Sequence, residues 1–146
     1  MPTAAKFLAG LMLAVLGWYA SELVKGLMPE RGAFGNFTLW NTAICFLVGW
    51  ITIGTRAGRG ASAAISNGVT GVVAALFWCL AVHSANMMVD RAFDRRYDSM
   101  LEAVAAVFEL IVENAALLVD ANFILTLVAG AVIVGYLTEV VSRHWR

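Results

Sequence analysis

Apolar residues fall along this chain in long runs separated by short polar breaks, a pattern that suits membrane-crossing helices. Four runs, at about residues 5–27, 37–54, 66–89 and 123–141, reach or approach the roughly 20 residues that cross a bilayer. Pro29, Gly32 and Gly35 break the chain after the first run. Glycines and small residues around Arg56 and Arg59 break it after the second. DRAFDRRYD, over 90–98, reads as a self-neutralised extension of the third helix, with spacings such as Arg91–Asp94 and Arg95–Asp98 suited to neighbouring turns. Glu22 and Lys25, one turn apart, close the first run and can pair there.

A fifth stretch, about residues 100–120, is long enough to span but carries acids on one line. At 100° per residue, Glu102, Glu109, Glu113 and Asp120 lie within about 40° of each other. Val104, Val107, Phe108, Ile111 and Leu118 take the opposite face. Two acids near mid-membrane cost about 5–7 kcal/mol on the insertion scale, whereas ten apolar residues return only about 3–6. The expectation is an amphipathic helix at the interface, apolar face down. The alternative is a fifth span whose acids face a bundle interior. The predicted fold is therefore an all-α integral membrane protein of one polytopic domain, with four transmembrane helices plus one acid-striped amphipathic helix.

Topology hangs on that stretch. With four spans, Lys6, Arg56, Arg59, Arg143 and Arg146 share one side, and Lys25, Arg31, Arg91, Arg95 and Arg96 the other, a tie. Nine of the ten acids lie on the second side or its helix ends, which leans the termini and the Arg56/Arg59 turn toward the cytoplasm. Five spans would shift the count to seven against three and invert the chain.

Composition supports the membrane reading: 61% of the 146 residues are hydrophobic, and the mean hydropathy is +0.80. Ten basic and ten acidic residues balance, which argues against nucleic acid as a partner and leaves the lipid bilayer. Trp18, at the −3 place of a would-be cleavage after Ala20, spoils the small-residue pattern of a signal peptide, so the first run reads as an uncleaved span.

No motif calls for a cofactor, a resident metal or a catalytic centre. The candidate functional positions are isolated polar residues. Ser62, Ser66, Thr70 and Ala74, and likewise Ala63, Asn67, Gly71 and Ala75, recur every four residues. These stripes suit close helix packing, and Ser66, Asn67 and Thr70 could instead line a substrate path. His83, with Cys79 and Asn86 one turn to either side, reads first as a hydrogen-bonded intramembrane histidine and second as a metal-touching cluster. Glu109 and Glu113 could hold a cation but read first as a solvated face. Cys45 and Cys79 lie mid-depth in adjacent antiparallel spans; apolar filler is the commoner use of such thiols, and a joint role is the other.

The opening MPTAAK, the central TRAGRGASAAISNGVTGVVAALFW and the RRYD before an acidic helix together resemble the TrgA family across the whole chain. Those are small bacterial inner-membrane proteins named for an association with tellurite resistance. The resemblance implies a multi-pass, non-enzymatic protein of the bacterial inner membrane linked to tolerance of a toxic oxyanion. It supplies no catalytic residues. Two function classes stay open: a factor that limits entry, aids efflux or protects respiratory membranes, and an accessory or assembly subunit of a larger membrane complex. The small-residue seams would suit a second copy of the chain or such a complex as partner. A reductase using the two cysteines stands third.

Overall fold

Leu13, Ile53, Val72, Ala75, Ala131 and Val134, drawn from four different apolar runs, meet in one buried cluster. The computed structural model describes residues 4–29, 35–94 and 97–145, and these form helices without strands. Helix α1 is Ala4–Leu27, α2 is Phe37–Val48, α3 is Ala61–Phe93, α4 is Met100–Leu117 and α5 is Ala121–His144. After α2 the chain continues through a π-helical turn, Gly49–Ile53, and a 3-10 turn, Gly54–Arg56. Four helical stretches are long and apolar enough to cross a membrane: Ala4–Leu27, Phe37–Arg56, Ala61–Phe93 and Ala121–His144. The chain is an all-α, multi-pass membrane protein, and the acid-bearing α4 is not among those four.

The spans pack through small residues, because apolar side chains gain little by leaving lipid and helix association rests on close contact. Ala64 and Gly68 of α3 face Ala131 and Gly135 of α5 so closely that a Cβ on either glycine would overlap the opposite carbonyl. Gly68 would strike Ala131, and Gly135 would strike Ala64. On the other side of the bundle, Gly49 would strike the Ala9 carbonyl of α1, and Gly10 lies against Phe46. Buried small residues on α3 include Ala64 and Gly68, against α5, and Gly71 and Ala75, of which Gly71 lies against Ile53. Gly71 and Ala75 belong to a stripe expected from the sequence, whereas Ser62, Ser66 and Thr70 face outward.

Helix α3 begins five residues before the expected 66 and ends four beyond the expected 89. Gly60, at φ 108°, starts it abruptly, a conformation open to glycine. Its 33 residues span about 50 Å, against roughly 30 Å of hydrocarbon. His83 meets Phe37 at the start of α2, so the last ten residues of α3 run about 15 Å beyond the start of α2. The expected Arg95–Asp98 pairing lies outside the described residues. Among those described, the ion pairs are Glu22–Lys25 at 2.9 Å, as expected, and Glu139–Arg143 at 3.1 Å.

Helix α4 folds back along this extension. Its start is capped reciprocally: the Glu102 amide donates to Ser99 Oγ at 3.2 Å, and Glu102 Oε2 accepts from the Asp98 amide at 3.0 Å. It buries Ala106, Leu110 and Asn114, and Leu118 just beyond its end joins Ala20, Val24 and Phe123 in a second core cluster. Glu102, Glu109 and Glu113 flank that buried line on one side and are exposed. Of the apolar face expected opposite them, Leu118 is buried, Val107 and Ile111 are half-buried, and Val104 and Phe108 are exposed. The helix ends at Leu117 rather than at 120, because Asp120 caps α5, accepting from the Phe123 amide at 3.1 Å.

Candidate functional site

Between α1, α2, α3 and the α4–α5 junction lies a cavity of about 310 Å³. Its deep end is apolar and sulfur-bearing, formed by Leu13, Gly17, Cys45, Val72 and Cys79. Its outer end is polar. Ser21, Asn41, His83, Asn86, Asp90 and Asn114 line it, with Asn86 and Asp90 exposed at the mouth.

A directed hydrogen-bond chain organises the polar end. His83 Nε2 lies 2.7 Å from Asn41 Oδ1, Asn41 Nδ2 donates to Ser21 Oγ at 2.9 Å, and Ser21 donates to the Gly17 carbonyl at 2.7 Å. The chain ends on a carbonyl, which can only accept, so every link points the same way. His83 must therefore carry its proton on Nε2. The Phe37 ring packs over the imidazole with centroids 4.4 Å apart. Opposite, Asn114 donates toward Ser84 Oγ at 3.5 Å, with Met87 Sδ 3.7 Å away. Among the described residues, every fully buried side-chain nitrogen or oxygen has a partner. That is what a membrane interior demands, since an unsatisfied polar group there costs several kcal/mol.

His83 and its neighbour Cys79, singled out in the sequence, both reach this cavity. The second cysteine does too: Cys45 is 5% exposed, and Cys79 packs against the core cluster to which Cys45 belongs. Ser21, Asn41 and Asn114 were not singled out. Each is a lone polar residue on a bundle-facing side, 2%, 6% and 5% exposed, which is the signal that could have found them. Among the described residues, no group of three or more His, Cys, Asp or Glu is arranged to hold a metal ion.

The other candidates lie elsewhere. Ser66 is exposed and its carbonyl accepts from Thr70 Oγ1 at 2.9 Å; neither residue lines the cavity. Asn67 Nδ2 donates to the Arg56 carbonyl at 3.2 Å, bracing the turn rather than a path. Arg56 and Arg59 are exposed on that turn, at the opposite end of the bundle from the cavity mouth. Glu109 and Glu113 stand on the surface of α4.

The Arg56/Arg59 turn has no acid near it in sequence, yet one reaches it in space. Glu139, 3% exposed, accepts from the Gly58 amide at 2.6 Å and the Gly60 amide at 2.8 Å, and Arg143 Nε donates to it at 3.1 Å. Gly58 and Gly60 hold φ of 94° and 108°, which turns both amides toward the carboxylate. Comparison with protein-family models, curated proteins and solved structures gives no match.

Proposed function

We propose that this chain is a non-enzymatic protein of the bacterial inner membrane that supports resistance to tellurite or a similar toxic oxyanion. The TrgA-like stretches named above supply the resistance link. The observation that carries a binding role is the cavity inside the bundle, apolar and thiol-lined at its base and polar at its mouth. Among the described residues, neither Lys nor Arg lines it, and Asp90 stands at the mouth. Such a site repels a free dianion, so the support acts by protecting the membrane and its proteins rather than by conducting the oxyanion. Lys6, Arg56, Arg59 and Arg143 gather at the opposite end, and that end faces the cytoplasm.

Tellurite tolerance and tellurite uptake, measured in cells with and without the protein, test this reading. Tolerance should fall without the protein while initial uptake stays unchanged. A change in uptake would move the role to entry or efflux, and unchanged tolerance would remove the resistance link.

One observation favours a second reading, an accessory subunit of a larger membrane complex. Leu101, Val104, Phe108 and Val112 form an exposed apolar line on α4, beside exposed Glu109 and Glu113. Purification in mild detergent separates the two: a stable set of other subunits supports the second reading, a homo-oligomer the first.

A further inference from the structure

The base of the cavity holds two thiols from different helices in one place. Cys45 on α2 is buried in the main core cluster, and Cys79 on α3 packs against that cluster. Both line the same cavity and sit at the same core cluster. Gly17 leaves room for the sulfur: a Cβ there would overlap Cys45 Sγ and crowd Cys45 Cβ, so a larger residue would displace the thiol. Among the described residues, no Lys or Arg lines the cavity to balance a bound anion. A guest that bonds to both sulfurs and leaves the site electrically neutral suits this lining.

The geometry points to a dithiol site for an uncharged, thiophilic hydroxide of a trivalent metalloid, of which arsenous acid is the simplest. The condensation balances without an oxidant. Two thiols and As(OH)3 give a bis-thiolate As(OH) and two water molecules, with two As–O bonds replaced by two As–S bonds and both thiol protons leaving in the water. Reactant and product are both neutral, so nothing charged is buried at the apolar base of the cavity. Soft sulfur ligands favour such a centre over hard cations. The waters leave past His83 and Asn86 toward the mouth. This inference stands on the thiol pair and the cavity, and it holds whether or not the resistance reading does.

The test uses the full chain, reduced and folded in mild detergent, with phenylarsine oxide as the probe and arsenous acid as the competitor. Phenylarsine oxide should abolish alkylation of both thiols in the native protein, and a dithiol should restore it where a monothiol does not. Arsenous acid should slow the arsenical's reaction. Cys45→Ser and Cys79→Ser should each convert the adduct to one that a monothiol reverses. Gly17→Ala should weaken bridging with both cysteines still present. Size-exclusion behaviour identifies variants that remain folded. Monothiol-reversible modification of the folded wild-type protein, or two thiols alkylated independently in the presence of the arsenical, would overturn the proposal.

Discussion

The two ends of the bundle handle polar groups in opposite ways. At the Arg56/Arg59 end, helices α3 and α5 touch backbone to backbone through Gly68 and Gly135, and a single carboxylate, Glu139, fastens the turn. At the other end α3 and α5 meet through the larger side chains of Leu76, Leu80, Phe123 and Leu127, α4 packs on α3, and polar residues gather around an open cavity. Small residues decide the difference. Where glycine and alanine face each other, backbones close and leave only carbonyls and amides to satisfy. Where Asn, Ser and His face each other, side chains hold the helices apart and must satisfy one another.

The largest expected effect comes from breaking the tight end. Gly68→Leu or Gly135→Leu pushes a side chain into a facing carbonyl, and overpacking of this kind costs about 3 kcal/mol or more. Thermal unfolding in detergent should show a large fall in stability for either variant. Ala64→Gly, which removes a contact without a clash, should be much milder.

Next comes the carboxylate. Glu139→Ala leaves the Gly58 and Gly60 amides without their acceptor, at about 2 kcal/mol. Glu139→Gln keeps an acceptor oxygen and should cost less. Proteolysis at the Arg56/Arg59 turn, read in the folded protein, should rise for the alanine variant and change little for the glutamine one.

At the open end the effects should be smaller. Asn41→Leu cuts the chain between His83 and Ser21 and should cost about 1 kcal/mol, the scale of hydrogen bonds within membranes. Ser21→Ala, at the far end of that chain, should cost less still, because Asn41 loses one acceptor but keeps His83. Equal losses at Glu139 and Asn41 would undo the contrast between the ends.

Much of this contrast was half-legible in the sequence. The four spans and the outlying acid-striped helix follow from run length and from where the acids fall. The seam was harder, because a stripe repeating every four residues drifts by about 40° each step, so several stripes on α3 look equally suitable. The facing residues on α5, Ala131 and Gly135, select Ala64 and Gly68, and no reading of α3 alone contains that choice. Glu139 escaped for a different reason: its partners are backbone amides about 80 residues away, and backbone groups leave no mark on the sequence. Asp120 fitted the acid line of α4 by angle but went to the cap of α5, since a free amide one turn ahead outweighs a regular spacing. Cys45 and Cys79 are brought together by the packing of α2 on α3, which spacing could suggest but not establish.

The account rests on α4 standing outside the membrane-crossing set, on the side away from the Arg56/Arg59 turn. In a Cys45→Ser/Cys79→Ser background, single cysteines at Glu109, Leu110 and Arg59 can be labelled with a membrane-impermeant maleimide in intact spheroplasts and again after the membrane is opened. Leu110 is 1% exposed, so it reports packing of α4 on α3 rather than sidedness. The account predicts strong labelling at 109 in intact spheroplasts, little at 110 in either state, and labelling at 59 only after opening. Protection of position 109 in both states would place α4 across the membrane as a fifth span and contradict the four-span architecture.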